Sequence, residues 1–209
     1  MENAARDCGN DQDRVILTQA LKEWAIAISC LRSGALNLLP RKGGIRDPLH
    51  PFANIPHRAA LFPTREHQVV RYLQHPVEMA EPDPNAPILI DTWAEVTHGF
   101  TLQTEAEVMA LEPFHIWTAD FIAERLKWRS RQPLHILLLR AYRLPQEIEL
   151  GRSPSHAGCR SWIDLDTPIF AQRSSPALST PDYQVQLQAI ENAVQSVQPD
   201  FKLKAWKLT

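Results

Sequence analysis

The residues best suited to hold an anion are Arg41-Lys42-Gly43-Gly44. Two cations stand beside two glycines, so backbone N–H groups can close on a phosphate while the side chains neutralise it. The spacing is not that of a phosphate-binding P-loop. The competing reading is a basic turn in which glycine supplies positive φ and the cations are solvated. Thr64, His67 and Gln68 form a second polar group. With Thr64 capping a helix, His67 falls one turn in, where free N–H groups favour an anion, and it serves as phosphate donor or general base. Against that stands a plain cap beside a surface histidine.

Cys159, within Gly158-Cys159-Arg160-Ser161-Trp162, is the candidate nucleophile, because Arg160 at its side would lower the thiol pKa. Cysteine is also among the residues most often buried as a small hydrophobe, and no base is assigned by spacing. His156 and Cys159 are separated by two residues, as a ligand pair could be, but no second pair stands at a matching spacing, so neither a metal nor another cofactor is expected. Pro82-Asp83 has no Glu-x-Lys strand after it, which argues against a PD-(D/E)xK nuclease.

Arg125, Lys127, Arg129 and Arg131, followed by Arg140 and Arg143, form the densest basic region, with Trp128 among them. Cations with an interleaved aromatic can track a nucleic-acid backbone and stack a base. A helix end whose cations complement the dipole accounts for the same run. Arg140 lies in an apolar stretch, so it either stands at a strand end in a site or pairs with a buried carboxylate.

These groups need elements to hold them. Leu17, Leu21, Trp24, Ile28 and Leu31 recur at spacings of three and four, which predicts one helix from Arg14 that buries Trp24 and stops at Gly34. Ala59 to Phe62 reads as a short strand, and Thr64 as the start of a helix carrying Val69, Val70 and Leu73. Ile88 to Val96 and Phe100 to Leu102 read as paired strands about a His98-Gly99 turn. Thr104 and Glu107 match a capping box, and Thr118 caps a helix bearing Phe121, Ile122 and Leu126. Leu134 to Tyr142, bounded by Pro133 and Pro145, reads as a strand buried on both faces. Ser161 to Leu165 and Ile169 to Ala171 are two further strands. Thr180 and Pro181 open a last helix with Tyr183, Leu187, Ile190 and Val194 on its buried stripe.

Without regular βαβ alternation or a glycine-rich phosphate loop after a strand, a doubly wound fold is disfavoured. The expectation is an α+β domain with a small, curved mixed sheet or partial barrel and flanking helices. Its layout is analogous to the RNA-associated PUA and ASCH domains. Residues 14–197 form that domain, between a flexible N-terminal tail (1–13) and a C-terminal tail (198–209).

Bulk properties narrow the class. At 209 residues one domain is the simplest division, and 44% hydrophobic with 22% charged residues is ordinary for a globular chain. A net charge of −2 excludes a global basic field, though not a local patch. Three widely spaced cysteines argue against a disulfide framework and for a reducing compartment. No signal sequence or spanning segment is evident, so a cytoplasmic protein without membrane association is expected. Seventeen prolines against seven glycines imply short elements joined by stiff loops.

Four segments occur in order: Ala20-Leu21-Lys22-Glu23-Trp24-Ala25, Arg41-Lys42-Gly43-Gly44-Ile45, Phe62-Pro63-Thr64 with His67-Gln68, and Gly158-Cys159-Arg160-Ser161-Trp162. Together they resemble the uncharacterised bacterial family known as domain of unknown function 1802, over about Leu17 to Val194. Pro40 departs from the aliphatic residue expected there, and by removing a donor it predicts a strand that is an edge or ends early. The resemblance implies no established activity. Fusion of some members to an Mrr-type endonuclease-like domain associates the family with nucleic-acid metabolism or defence.

The expectation is a non-catalytic binding module for nucleic acid or a nucleotide, with Arg41, Lys42, Gly43, Gly44, Thr64, His67, Gln68, Arg140 and Arg160 as candidate ligand-binding residues. The rivals are a hydrolase using His67 or Cys159 and an interaction subunit working with a partner protein. The turn Arg41 to Gly44 is expected to approach Thr64, His67 and Gln68.

Overall fold

The computed structural model describes residues 15–42, 55–64, 68–75, 83, 86–128, 133–151, 153–156, 158 and 160–205. Gly43, Gly44, His67, Cys159, Arg129, Arg131 and the N-terminal tail 1–13 lie outside the described residues.

The first element is a strand, β1 (Ile16–Trp24), and only then a helix, α1 (Ala25–Ser33). This corrects the single helix expected from Arg14. The helical spacing of Leu17 and Leu21 is coincidental. The register of β1 shifts between Leu17 and Gln19, and the strand buries side chains on both faces, so strict alternation is lost. Gly34 does stop α1: its φ is +83°, and a Cβ there would meet Leu178 Cδ2 at 2.7 Å.

β2 (Leu38–Arg41), β3 (Arg58–Thr64), β4 (Ile88–Leu102) and β5 (Leu134–Leu150) follow, with β6 (Trp162–Phe170) and the short β7 (Ser175–Pro176) completing a seven-stranded sheet. The order is β2-β5-β4-β3-β1-β6, with β7 pairing β5. β1 and β3 run parallel and the other pairs antiparallel. β2 lies at one edge of that order, which is where Pro40 is tolerated.

Two expected strand pairs turn out to be single strands. His98-Gly99 is not a turn, because β4 runs through it with a register shift between Val96 and His98. Likewise β6 continues from Trp162 to Phe170. Pro145 also lies within a strand, since β5 extends well past Tyr142. Both prolines in these strands sit where the ladder is interrupted. Pro145 falls between the pairs Thr92–Arg143 and Ile90–Ile148, and Pro168 between Gln19–Asp164 and Leu17–Ile169. A missing N–H costs nothing at such an excursion.

The helix expected after Thr64 is also absent among the described residues. Only one 3-10 turn, Val70–Tyr72, follows, and Leu73 bridges to Trp117 instead. Two short helices precede β5: α2 (Glu105–Ala110), opened by the Thr104–Glu107 capping box, and α3 (Ala119–Lys127), capped by Thr118. The last helix, α4 (Thr180–Gln195), has Ser179 as its cap, one residue earlier than expected. Its buried stripe is Tyr183, Leu187, Ile190 and Val194, as the period requires.

Helix residues from α1 to α4 pack with one face of the sheet to make the larger core. A second cluster, with Leu17, Phe62, Trp93, Leu144, Ile163 and Ile169, draws its buried residues from strands and their immediate flanks. Strands can bury such side chains against one another only when the sheet curls, and the curl does not close, since β2 and β6 are not paired. The chain is therefore an α+β domain on a curved mixed sheet. Residues 198–205, expected as a tail, return to the core: Phe201 packs edge-on to Phe100 at 5.0 Å and His98 bridges to Ala205.

His115 shows how this core depends on pH. The ring is buried beside Trp117, and burial pushes its pKa down to about 4. Its folded-state pKa lies below the unfolded value of 6.5, so the group contributes stability that is present above pH 6.5 and is lost as pH falls towards about 4. The expected loss over that window is on the order of 3 kcal/mol. Thermal midpoints followed from neutral pH down through this range check it, with His115→Asn expected to flatten the profile.

Candidate functional site

Four strand and loop segments are gathered at the C-terminal end of β1, where Lys22 and Glu23 point to opposite faces of the sheet. Lys22 holds the loop before β6. Its Nζ donates to the carbonyls of His156 (2.8 Å) and Gly158 (2.9 Å), and its backbone N–H to that of Ser161 (2.8 Å). Nζ also lies 5.6 Å over the Phe62 ring.

Glu23 organises the other face. Its Oε1 accepts from the Trp24 N–H at 2.8 Å, and its Oε2 meets Arg41 Nη2 at 2.8 Å. The same Nη2 donates to the Lys22 carbonyl at 3.1 Å. Thr64 is not a cap: as the last residue of β3 it stands beside Trp24 in the parallel register, and its hydroxyl donates to the Glu23 carbonyl at 3.0 Å. Gln68 donates to the Thr64 carbonyl (2.7 Å) and accepts from the Ile26 N–H at the start of α1 (3.4 Å). Arg41, Thr64 and Gln68 are thus drawn to the same strand end.

Lys42 turns away from solvent. It is 6% exposed, and its Nζ donates to the Leu126 carbonyl near the end of α3 at 2.8 Å. Burial lowers its pKa. Its charge serves the carbonyl end of a helix, the role expected of the basic residues within α3 itself.

Between β1, β2 and α3 lies a small cleft of about 20 Å³, room for little more than a water molecule. Glu23, Arg41 and Arg125 supply its charge, and Trp24, Trp117 and Phe121 its aromatic wall, with Pro40 beside them. Arg125 reaches it from α3, its guanidinium 4.4 Å over the Phe121 ring. Burial and then the neighbouring Arg41 charge hold the Arg125 pKa below the usual guanidinium range, while Glu23 opposes the shift. Arginine remains charged through such a shift. Two guanidinium groups therefore face one carboxylate. The Nε atoms of Arg41 and Arg125 are buried without a hydrogen-bond partner among the described residues. The positive charge at the mouth of the cleft suits an anion, while these two N–H groups lie beneath the surface.

The remaining candidates stand elsewhere. Arg140 follows His135, the register partner of Arg41, by five strand residues, roughly 16 Å. It donates to the Thr180 hydroxyl at 2.7 Å and lies over the rings of Tyr142 and Tyr183. The carboxylate opposite it in register, Glu95, pairs with Arg58 and accepts from the Tyr142 hydroxyl. Arg160 donates to the Ser155 carbonyl within its own loop. Arg143 donates to the carbonyls of Arg32 and Ala177, and Lys127 meets Glu105 at 3.5 Å, so the basic run is dispersed over the surface. Sequence reasoning missed Glu23 and Trp117 as site residues and left Arg125 in a general basic run. The signal for Glu23 was its place in a motif that also contains the aromatic Trp24, obscured by reading that motif as helix.

Among the described residues no group of three or more His, Cys, Asp or Glu side chains stands close enough to hold a metal ion, and no helix is long and apolar enough to cross a membrane.

Fold and site define an α+β domain whose curved mixed sheet carries a small cationic cleft at the ends of β1 and β2. The chain belongs to the family described as domain of unknown function DUF1802, whose model matches residues 20–189. No curated protein and no solved structure matches the chain.

Proposed function

We propose that the chain is a non-catalytic binding module that holds a phosphate group of nucleic acid or a nucleotide between Arg41 and Arg125. The observation that carries this reading is the pairing of two guanidinium groups around one carboxylate in a cleft walled by aromatics. Guanidinium forks suit phosphate oxygens, and Trp24, the one ring of the three that is not fully buried, is the ring a base could meet. At about 20 Å³ the cleft is far below the roughly 300–1,000 Å³ of pockets that engulf a whole ligand. A phosphate would therefore sit at its mouth, with the rest of the ligand lying across the surface. The local charge, rather than the near-neutral whole, does the work.

Trp24 and Trp117 line the cleft, so intrinsic fluorescence reports on it. A short single-stranded oligothymidylate at low salt is expected to change that fluorescence saturably, with Arg125→Gln weakening binding about tenfold and lowering the salt slope by about one. Arg125 is the informative position, since Arg41 holds Glu23 and Lys42 holds the end of α3. Identical isotherms for wild type and Arg125→Gln would remove the proposal.

A further inference from the structure

We infer that the outer edge of β4, from His98 to Leu102, is a docking site for an extended segment of a partner protein. The chain's own C-terminal segment, Phe201 to Ala205, is the occupant that such a partner displaces. The site uses none of the cleft residues and is independent of the phosphate reading.

β4 has strands on both sides over only part of its length. β5 accompanies it as far as Leu102. On the other side β3 pairs as far as Glu95, and the Val96 N–H is taken by the His57 carbonyl at 2.8 Å. Beyond that point the described residues supply this side of β4 with one strand-like partner, Ala205, which forms an isolated antiparallel bridge with His98. A strand edge in this state offers its N–H and C=O groups to an extended chain that can reach it.

The segment that reaches it is patterned as a strand. In Phe201-Lys202-Leu203-Lys204-Ala205 apolar residues alternate with lysines: Phe201 and Leu203 pack on the core, and Lys202 and Lys204 are exposed. Phe201 sets its ring edge-on to Phe100 at 5.0 Å. Among the described residues, however, no ladder continues from the bridge. The Leu203 N–H donates to the Glu191 carboxylate at 2.9 Å instead of to β4, and the Phe201 carbonyl accepts from Gln195 Nε2 at 2.8 Å. Both tethers come from α4, so the segment is held by the helix and meets the strand edge through one backbone bridge. The family match ends at residue 189, within α4, so this segment follows the shared domain. A partner that keeps the apolar alternation and pairs with Gly99 to Leu102 gains the backbone bonds that the resident segment leaves unused. The pattern it needs is read from the resident: apolar residues two apart, a small residue at the bridge, and cations between.

A labelled peptide of residues 200–209 is the probe, since it carries that pattern. Wild type, with the site filled by its own tethered segment, is expected to bind it weakly. Full-length protein carrying Phe201→Ser with Leu203→Ser is expected to bind it at least about tenfold more tightly, because the tethered competitor no longer holds. The same peptide N-methylated at Lys204, Ala205 and Trp206 is expected to lose that binding, since pairing to a strand edge needs its N–H groups. A double variant that is folded by circular dichroism and does not bind overturns the inference, as does equal binding of the N-methylated peptide. Equal binding by wild type and variant overturns the role of the resident segment. Hydrogen exchange on wild type needs no substitution. Amides of residues 201–205 are expected to exchange about a hundredfold faster than those of β5, and equal protection would show a fixed strand and end the proposal. A wild-type dimer that grows with concentration and is lost in the double variant gives the site to a second copy, which overturns a separate partner.

Discussion

Arg41→Ala is expected to destabilise the fold by about 3–5 kcal/mol, out of proportion to a single charge at a strand end. Glu23 and Arg41 are 9% and 15% exposed in their side chains, and the ion pair is 2.8 Å long. Removing the arginine leaves a buried carboxylate whose Oε2 loses its cation while the surroundings offer little water. The desolvation cost of that charge, rather than the worth of the pair, dominates. Adding Glu23→Gln should therefore recover a large part of the loss. A double-mutant cycle by urea denaturation measures this directly. A double variant no more stable than Arg41→Ala would show that the arginine acts through packing of its stem instead.

Trp117→Ala is expected to cost a similar ~3–5 kcal/mol, by cavity formation. Trp117 is 3% exposed. It stacks near Phe121 with centroids 6.3 Å apart, meets Trp24 at 6.4 Å, and bridges through its backbone to Leu73. Trp24, half-buried at the junction of β1 and α1, should cost less than Trp117 when truncated, which reverses the emphasis that the helical reading placed on Trp24. Denaturation midpoints at unchanged m-value decide it, and a Trp24→Ala loss as large as that of Trp117→Ala would contradict this ranking. Both tryptophans line the cleft, so Trp117→Ala should also weaken oligothymidylate binding.

How much was legible follows from how local the signals were. The stripe Tyr183, Leu187, Ile190 and Val194 with Pro181 at its start, and the box Thr104–Glu107, are contained within single helices, so pattern and structure agree. Leu134 to Tyr142 was readable because a strand covered on both faces shows as an unbroken apolar run. The strand Ile16–Trp24 was misread because a register shift and burial on both faces turned a period of two into spacings of three and four. Pro145 was taken as a strand end, and β6 was read as two strands either side of residues 166–168, because the opening of the ladder at those positions is not visible in the sequence.

The sequence by itself determined the α+β class, the buried face of the last helix and the family, and narrowed the strand carrying Pro40 to an edge or an early end, because each rests on local chemistry or on ordered motifs. Only the tertiary structure decided that Glu23, Arg41 and Arg125 share one cleft. Those residues come from β1, β2 and α3, which are far apart in the chain. Their meeting depends on the parallel pairing of β1 with β3, the placing of β2 on β5, and the docking of α3 through Trp117 and Phe121. The orientation of the cations was likewise a tertiary matter. Lys42 and Arg41 are adjacent in sequence and point to opposite faces of one strand end, so one joins the cleft and the other caps a helix.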